Sequence, residues 1–205
     1  MQKEFLFIVN GYLAGSVLFA RVASSLLNKP AVIEESKDGN PGTANAFQYG
    51  GLLCGLITLC GDLCKGFFPI QLYLSHGGDF ITAPLLSAMV LASPVSGHAF
   101  PLFYRFHGGK GIAVTFGVLI GLFPAIKPLL VYASLFLLFS LVIRITPHFY
   151  RTSVTYMAAL PLLLWEHCEC GVVIGFLFIT ATVCIRLHMS KEKREEMRVT
   201  FLWTH

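Results

Sequence analysis

FLFIVNGYLAGSVLFARVASSLL, residues 5–27, decides the class of this protein. Its only charge is Arg21, and it runs from Phe5 to Leu27 without a proline. A bilayer core of about 30 Å is crossed by roughly 17–25 mostly apolar helical residues, so the stretch reads as a membrane span. A secretory leader would end at a small-residue cleavage site. None stands out after Met1–Glu4 and the apolar run, so the segment is expected to be retained as the first span.

The rest of the chain extends the same reading. It is 55% hydrophobic and 13% charged, against roughly 45–50% and about 25% for a soluble domain. Further apolar runs at 51–74, 81–103, 112–124, 128–145, 152–165 and 171–187 predict an all-α integral membrane protein of about seven transmembrane helices. The runs 112–124 and 152–165 are short for a full crossing. The chain is read as a single polytopic domain over 1–205, with a tail at 188–205. SKEKREEMRV in that tail reads as a solvated helix end at the membrane surface.

Lys and Arg set the orientation. Loops 28–50, 104–111 and 144–151 and the segment 186–205 collect eleven of the fifteen, whereas the opposite loops hold only Lys3 and Lys127. The N-terminus is therefore expected outside and the C-terminus in the cytoplasm. The formal charge of +4 belongs to these loops and implies no nucleic-acid partner. Cys54, Cys60, Cys64 and Cys184 lie in apolar runs, where thiols behave as small hydrophobes. Cys168 and Cys170 sit in a polar loop. No His/Cys set has zinc spacing, so a structural metal is not expected.

Two glycine-rich segments face the cytoplasmic side on this topology, in the loops near 28–50 and 96–115. The first is DGNPGTAN, Asp38–Asn45; the second is SGHAFPLFYRFHGGKGIAVT, Ser96–Thr115. Glycines let backbone N–H groups close around an anion, and a following helix start adds positive potential. Lys110 in HGGKG supplies a point charge suited to phosphate, although the same residues also make a flexible turn with a positive-inside lysine. GDLCKG, Gly61–Gly66, puts Asp62 and Lys65 at i and i+3 on one helix face inside the second span. Ionisable residues there are expensive and mark a bundle interior or a wet cavity. His98 stands at the inner end of the third span, as a hydrogen-bonded structural residue or a reactive one.

In this order GSVLFA, GNPGTAN, GDLCKG and GHAFPLFYRFHGGKGIAVT resemble the acyl-phosphate-dependent glycerol-3-phosphate acyltransferase family of bacterial inner membranes. The resemblance runs over about residues 11–120 and is clearest in the GHxFPxFxxFxGGKG pattern. It implies a seven-helix membrane enzyme with a cytoplasmic active site. Such an enzyme moves a fatty acyl group from acyl phosphate to the 1-hydroxyl of glycerol 3-phosphate, giving lysophosphatidate, with no cofactor. It also implies a functional link to an acyl-carrier-protein:phosphate acyltransferase that supplies acyl phosphate. The residues that match are Gly39, Asn40, Gly42, Lys65, Gly108, Gly109, Lys110 and Gly111 for binding substrate phosphates. His98, Asp38 and Asn45 are the candidates for catalysis: His98 as proton acceptor or loop-orienting group, Asn45 as oxyanion donor.

The chain departs from the family at clustered positions. Asp38 stands where the family has Ser, Gln48 and Glu34 where it has Arg, Leu18 where it has Pro, and Val114 where it has Thr, with Thr115 adjacent. The family's His and Asn at the start of the tail are not cleanly matched by Arg186–Ser190. A carboxylate about 4 Å from one phosphate charge costs on the order of 4 kcal/mol at an effective dielectric near 20. Asp38 therefore pairs with a lysine, is offset by Arg105 or Lys110, or serves as general base toward an acceptor without phosphate. Two further readings stay open: a paralogue with an altered acceptor or lost activity, and a small anion transporter or channel motivated by Asp62 and Lys65.

Overall fold

The structure, a computed structural model, describes residues 2–29, 39–190 and 196–202. The first apolar run forms two helices, α1 (Gln2–Gly15) and α2 (Phe19–Leu26), broken at Ser16–Leu18. Leu18 is extended and precedes α2 without a side-chain cap, so the break persists where the family's proline is absent. What holds it is a distant side chain: Lys65 Nζ takes the Val17 carbonyl at 2.6 Å. An unpaired buried carbonyl would otherwise be a loss comparable to a broken hydrogen bond.

α3 (Thr43–Gly50) and α4 (Leu52–Ser75) follow, hinged at Gly51, whose φ of +82° suits glycine. Next come α5 (Pro84–Ala99), α6 (Ile112–Ile120) and α7 (Lys127–Leu137), which widens into a π turn at Leu138–Val142. α8 (His148–Trp165) and α9 (Cys170–His188) complete the bundle. Among the described residues, four helical stretches, 3–26, 52–75, 84–104 and 170–188, are long and apolar enough to cross a membrane; 127–142 is a shorter apolar helix. Phe5, Leu6, Leu52, Phe68, Leu164 and Leu177 are exposed, as expected where the surroundings are lipid rather than water.

Three sequence expectations change. The 112–124 run yields a helix of 9 residues, about 14 Å long, less than half a hydrocarbon core. The 152–165 run starts earlier, at His148, and makes an 18-residue helix. The tail also holds a strand that the all-α reading did not foresee: β2 (Arg198–Phe201) pairs antiparallel with β1 (Ile143–Thr146), Ile143 opposite Phe201 and Thr146 opposite Arg198, while residues 191–195 of SKEKREEMRV lie outside the described residues. Both strands are short quartets containing β-branched residues, IRIT and RVTF, a pattern too short to outweigh the charged run before the second.

α5 is the axis of the fold. α1 meets it on one side, where a Cβ on Gly15 would lie 2.1 Å from the Pro94 carbonyl and one on Gly97 2.1 Å from that of Tyr12. α9 meets it on another through Gly171 and Gly175. Small residues at helix contacts let backbones approach closely, which is how apolar helices associate in lipid. A buried aromatic group, Tyr132, Tyr156 and Phe176, ties α7, α8 and α9 together.

Contacts sort the connections into two ends. At one, Lys29 bonds Gly50, Arg186 bonds Gly108, and β1 pairs with β2. At the other, Lys3 bonds His76, Gln71 bonds Gly121, Lys127 pairs with Glu166, and Gly171 N–H bonds Phe80. The Asp79 carboxylate also sits at this second end, accepting from the N–H groups of Ile81 and Thr82. Those bonds, led by Thr82, hold it below the usual carboxylate range.

Candidate active site

The first end opens into a cavity of about 1190 Å³. Its floor is polar and buried. Asp62 and Lys65, one helical turn apart on α4, form an ion pair at 2.8 Å. α5 brings His98 beside them, with Nδ1 at 2.8 Å from Lys65 Nζ and 3.8 Å from Asp62 Oδ1. Asp62 and His98 are only 1% and 2% exposed. An ammonium has three N–H donors and no acceptor, and three acceptors surround this one: Val17 O, Asp62 Oδ1 and His98 Nδ1. His98 therefore accepts through Nδ1, and its Nε2 carries the hydrogen.

The glycine loop after α5 is shaped around that imidazole. Gly109 N–H donates to the His98 carbonyl at 3.0 Å. A Cβ on Gly109 would lie 2.2 Å from His98 Nε2, and one on Gly108 would lie 1.9 Å from His98 O. Arg186 of α9 donates to Gly108 O from Nη2 at 2.6 Å and Nε at 3.1 Å. Gly111 adopts φ +78° as the residue before α6. It is held by Thr115 Oγ1, which donates to its carbonyl and accepts from Tyr156 OH at 2.8 Å. The first two glycines thus serve close packing against His98, and Gly109's N–H is already committed inside the protein.

The opposite wall is the start of α3. Asn40 O accepts from Gly42 N–H and from Asn45 Nδ2, both at 2.8 Å, which folds the loop into a cap. Thr43 Oγ1 reaches Asp62 Oδ2 at 3.4 Å and links wall to floor. Phe47, Leu59, Phe116 and Phe136 give the cavity an apolar side.

Most of the residues singled out in the sequence meet here. Asn40, Gly42, Asn45, His98, Lys110 and Gly111 line the cavity. Lys65 does not; it stands behind Asp62 and His98. Gly39, at φ +61°, is exposed, Gly108 and Gly109 pack behind the lining, and Asp38 and Glu34 lie outside the described residues. No cluster of His, Cys, Asp and Glu suited to a metal occurs among the described residues.

Among the polar lining residues, Thr43, Gln48, Tyr49, Asp62 and His148 were not singled out as site residues. Asp62 was visible as half of an intramembrane pair and Gln48 as a departure from the family. His148 was not, although the charge count had already put loop 144–151 on the side of the glycine loops. Its Nδ1 lies 2.8 Å from Thr152 Oγ1, and that hydroxyl is 2.9 Å from the His148 carbonyl.

The arrangement combines a lysine, helix starts and an N–H-bearing imidazole with an apolar wall, equipment for an anion on a lipid chain. The family described as glycerol-3-phosphate acyltransferase matches the chain over residues 5–195. The glycerol-3-phosphate acyltransferase of Pseudomonas syringae pv. tomato is 37% identical over 162 residues, 76% of each chain. That of Pseudomonas putida (strain GB-1) is 39% identical over 166 residues, 77% of this chain and 79% of its own. Crystal structures of PlsY (YgiH), an integral membrane glycerol 3-phosphate acyltransferase, are similar throughout. Its lysophosphatidic acid form aligns with a TM-score of 0.72 at 25% identity, over 89% of this chain and 87% of that one. Its glycerol 3-phosphate form aligns at 0.71 and 27%, over 91% and 88%.

Proposed function

The chain belongs to the glycerol-3-phosphate acyltransferase family, and on that premise we propose that it acylates the 1-hydroxyl of glycerol 3-phosphate from acyl phosphate, releasing phosphate and lysophosphatidate. The observation that carries this reading is the single cavity that gathers the 40–45 and 110–111 segments over the Asp62–Lys65–His98 floor. Acyl phosphate is an activated mixed anhydride, so the protein's task is to position two anions and stabilise a developing oxyanion. Lys110 and the start of α3 hold phosphate oxygens, and His98 donates through Nε2–H. Asn45 stays a candidate oxyanion donor. The phenylalanines take the acyl tail. Lys65 acts through its neighbours as a positioning residue that fixes the hydrogen-bond polarity of His98.

The same reading places seven apolar segments across or into a bacterial inner membrane, with the cavity end in the cytoplasm. Its support is that the Lys/Arg-rich connections meet at the cavity end. Family membership sets the transporter reading aside. The test is direct: purified protein given acyl phosphate and glycerol 3-phosphate releases phosphate and lysophosphatidate in equal amounts. Acyl phosphate consumed with no lysophosphatidate formed would overturn it.

Gln48 supports a second reading, an altered acceptor, because it lines the cavity at the position where the family carries Arg. A charge-assisted hydrogen bond contributes about 1.5–3 kcal/mol. On the altered-acceptor reading, Gln48→Arg lowers KM for glycerol 3-phosphate about tenfold or more. An unchanged or higher KM means that another group has taken over the phosphate, and the second reading fails.

A further inference from the structure

The apolar side of the cavity carries a group of rings. Phe116 of α6 and Phe136 of α7 both line it, with centroids 5.6 Å apart in an edge-to-face contact. Tyr132 completes the group, 4.9 Å from Phe116 and 6.2 Å from Phe136. Tyr132 is fully buried and packs in turn on Tyr156 and Phe176, so its place is fixed by the core. Phe116 and Phe136 are only partly buried. A second apolar cavity, of about 300 Å³, is lined by Leu119 and Ile120 of α6, Leu129 of α7 and Phe67 of α4. Residues three and four apart share a helix face, so Phe116, Leu119 and Ile120 form one stripe on α6. Leu129, Tyr132 and Phe136 form the matching stripe on α7. α6 leaves the active-site end as α7 returns to it, so on both helices the second cavity's residues are the deeper ones. The two cavities lie along one seam, with the rings as a partition between them.

We propose that Phe116 and Phe136 set the length of acyl chain the protein transfers: the tail of the acyl phosphate runs down the α6–α7 seam, and its terminal carbons stop against this ring pair. The proposal rests on the acyl-transfer reading above. Length selection at such a site is steric. In a bilayer the tail's alternative surroundings are other hydrocarbon chains, so a further methylene gains little by entering the protein. A wall discriminates instead. A tail that ends at the rings fits, and a shorter one forfeits only some dispersion contacts. A longer one must push a ring off its packing or hold its carbonyl short of the phosphate-binding groups, and overpacking of this kind lowers its use about tenfold. Removing either ring joins the active-site cavity to an apolar space that already exists, so a longer tail then has room beyond the volume of the deleted ring.

The test gives the full chain, in lipid vesicles, glycerol 3-phosphate and an equimolar series of saturated acyl phosphates that differ by two methylenes. The lysophosphatidates formed are separated by mass. The parent's products should fall off sharply above one tail length. Phe116→Ala and Phe136→Ala should each move that limit upward by at least one member of the series, raising the ratio of longer to shorter product about tenfold. Leu129→Phe added to Phe136→Ala fills the second cavity and should bring the limit back down. Phe136→Trp should lower the limit, and it carries the test if the alanine variants fail to fold. A parent that uses every tail alike overturns the proposal. So does a limit that stays in place in all variants, or a loss of rate that is equal for every tail. A parent inactive with every tail removes the acyl-transfer reading, and this proposal with it; an active parent whose variants keep its product distribution removes the proposal alone.

Discussion

Lys65–Asp62 and Lys127–Glu166 are the same chemistry in different solvents. The first pair is 2.8 Å apart with both side chains nearly sealed from solvent, while the second is 3.4 Å apart with side chains 62% and 43% exposed. In water an ion pair gains little, because each partner is well solvated alone. Inside a bundle each charge has lost its water and depends on the groups the fold supplies. Lys65 meets that demand with three acceptors from three separate elements, so one ammonium ties the α1–α2 break, α4 and α5 to the cavity floor. Lys127 joins the start of α7 only to the end of α8. A buried charge here organises a site; an exposed one trims a surface.

The strongest way to break this comparison is Lys65→Met. It leaves Asp62 buried without its cation, a loss of about 3–5 kcal/mol in pairs of this kind. It also removes the donor that fixes His98, so activity should disappear along with the drop in thermal stability measured in detergent. The double variant Asp62→Leu, Lys65→Met separates the two effects. Stability should return, since apolar replacement of a whole buried pair is often neutral or favourable, while acyl transfer should not. Activity in the double variant would mean that the floor is structural only.

Gly109→Ala comes next. The new Cβ would meet His98 Nε2 at 2.2 Å, and overpacking of this kind costs about 1–3 kcal/mol. Its effect should fall mainly on kcat, because the methyl occupies the space in front of the one ring nitrogen that donates. Gly39→Ala is the control: Gly39 has no atom near enough to clash, so its burden is limited to backbone strain at φ +61°. Equal losses in both variants would show that loop flexibility, rather than room around His98, is what Gly109 provides.

How far this could be read from the sequence follows the same division between local and assembled features. Apolar runs announced the long helices, because a hydrophobic stretch in lipid needs no partner to be recognised. The nine-residue α6 was overestimated, since helix length there is set by the turn at Gly121–Pro124 rather than by hydropathy. The β1–β2 pair joins quartets more than fifty residues apart, and neither carries a signal alone. Within the site, His98 and Lys110 lie in one contiguous motif. The places of Asp62 and His148 in the cavity lining exist only once the helices that carry them have packed together. The hydrogen-bond polarity of His98 is likewise a property of its neighbour Lys65 and not of the histidine.

The smallest effect belongs to the exposed pair. Lys127→Ala removes both the Glu166 contact and the bond to the Glu166 carbonyl at 3.1 Å, yet surface pairs typically contribute about 0–1 kcal/mol. The expected outcome is a melting temperature close to the parent's, a difference that shrinks further as salt screens the pair, and unchanged acyl transfer. The measurement has force because Lys127 also belongs to the sparse positive charge at the end opposite the cavity. A loss comparable to that of Lys65→Met would show that Lys127 is buried in the folded protein, against lipid or another chain. The contrast between a charge that organises and a charge that trims would then no longer hold.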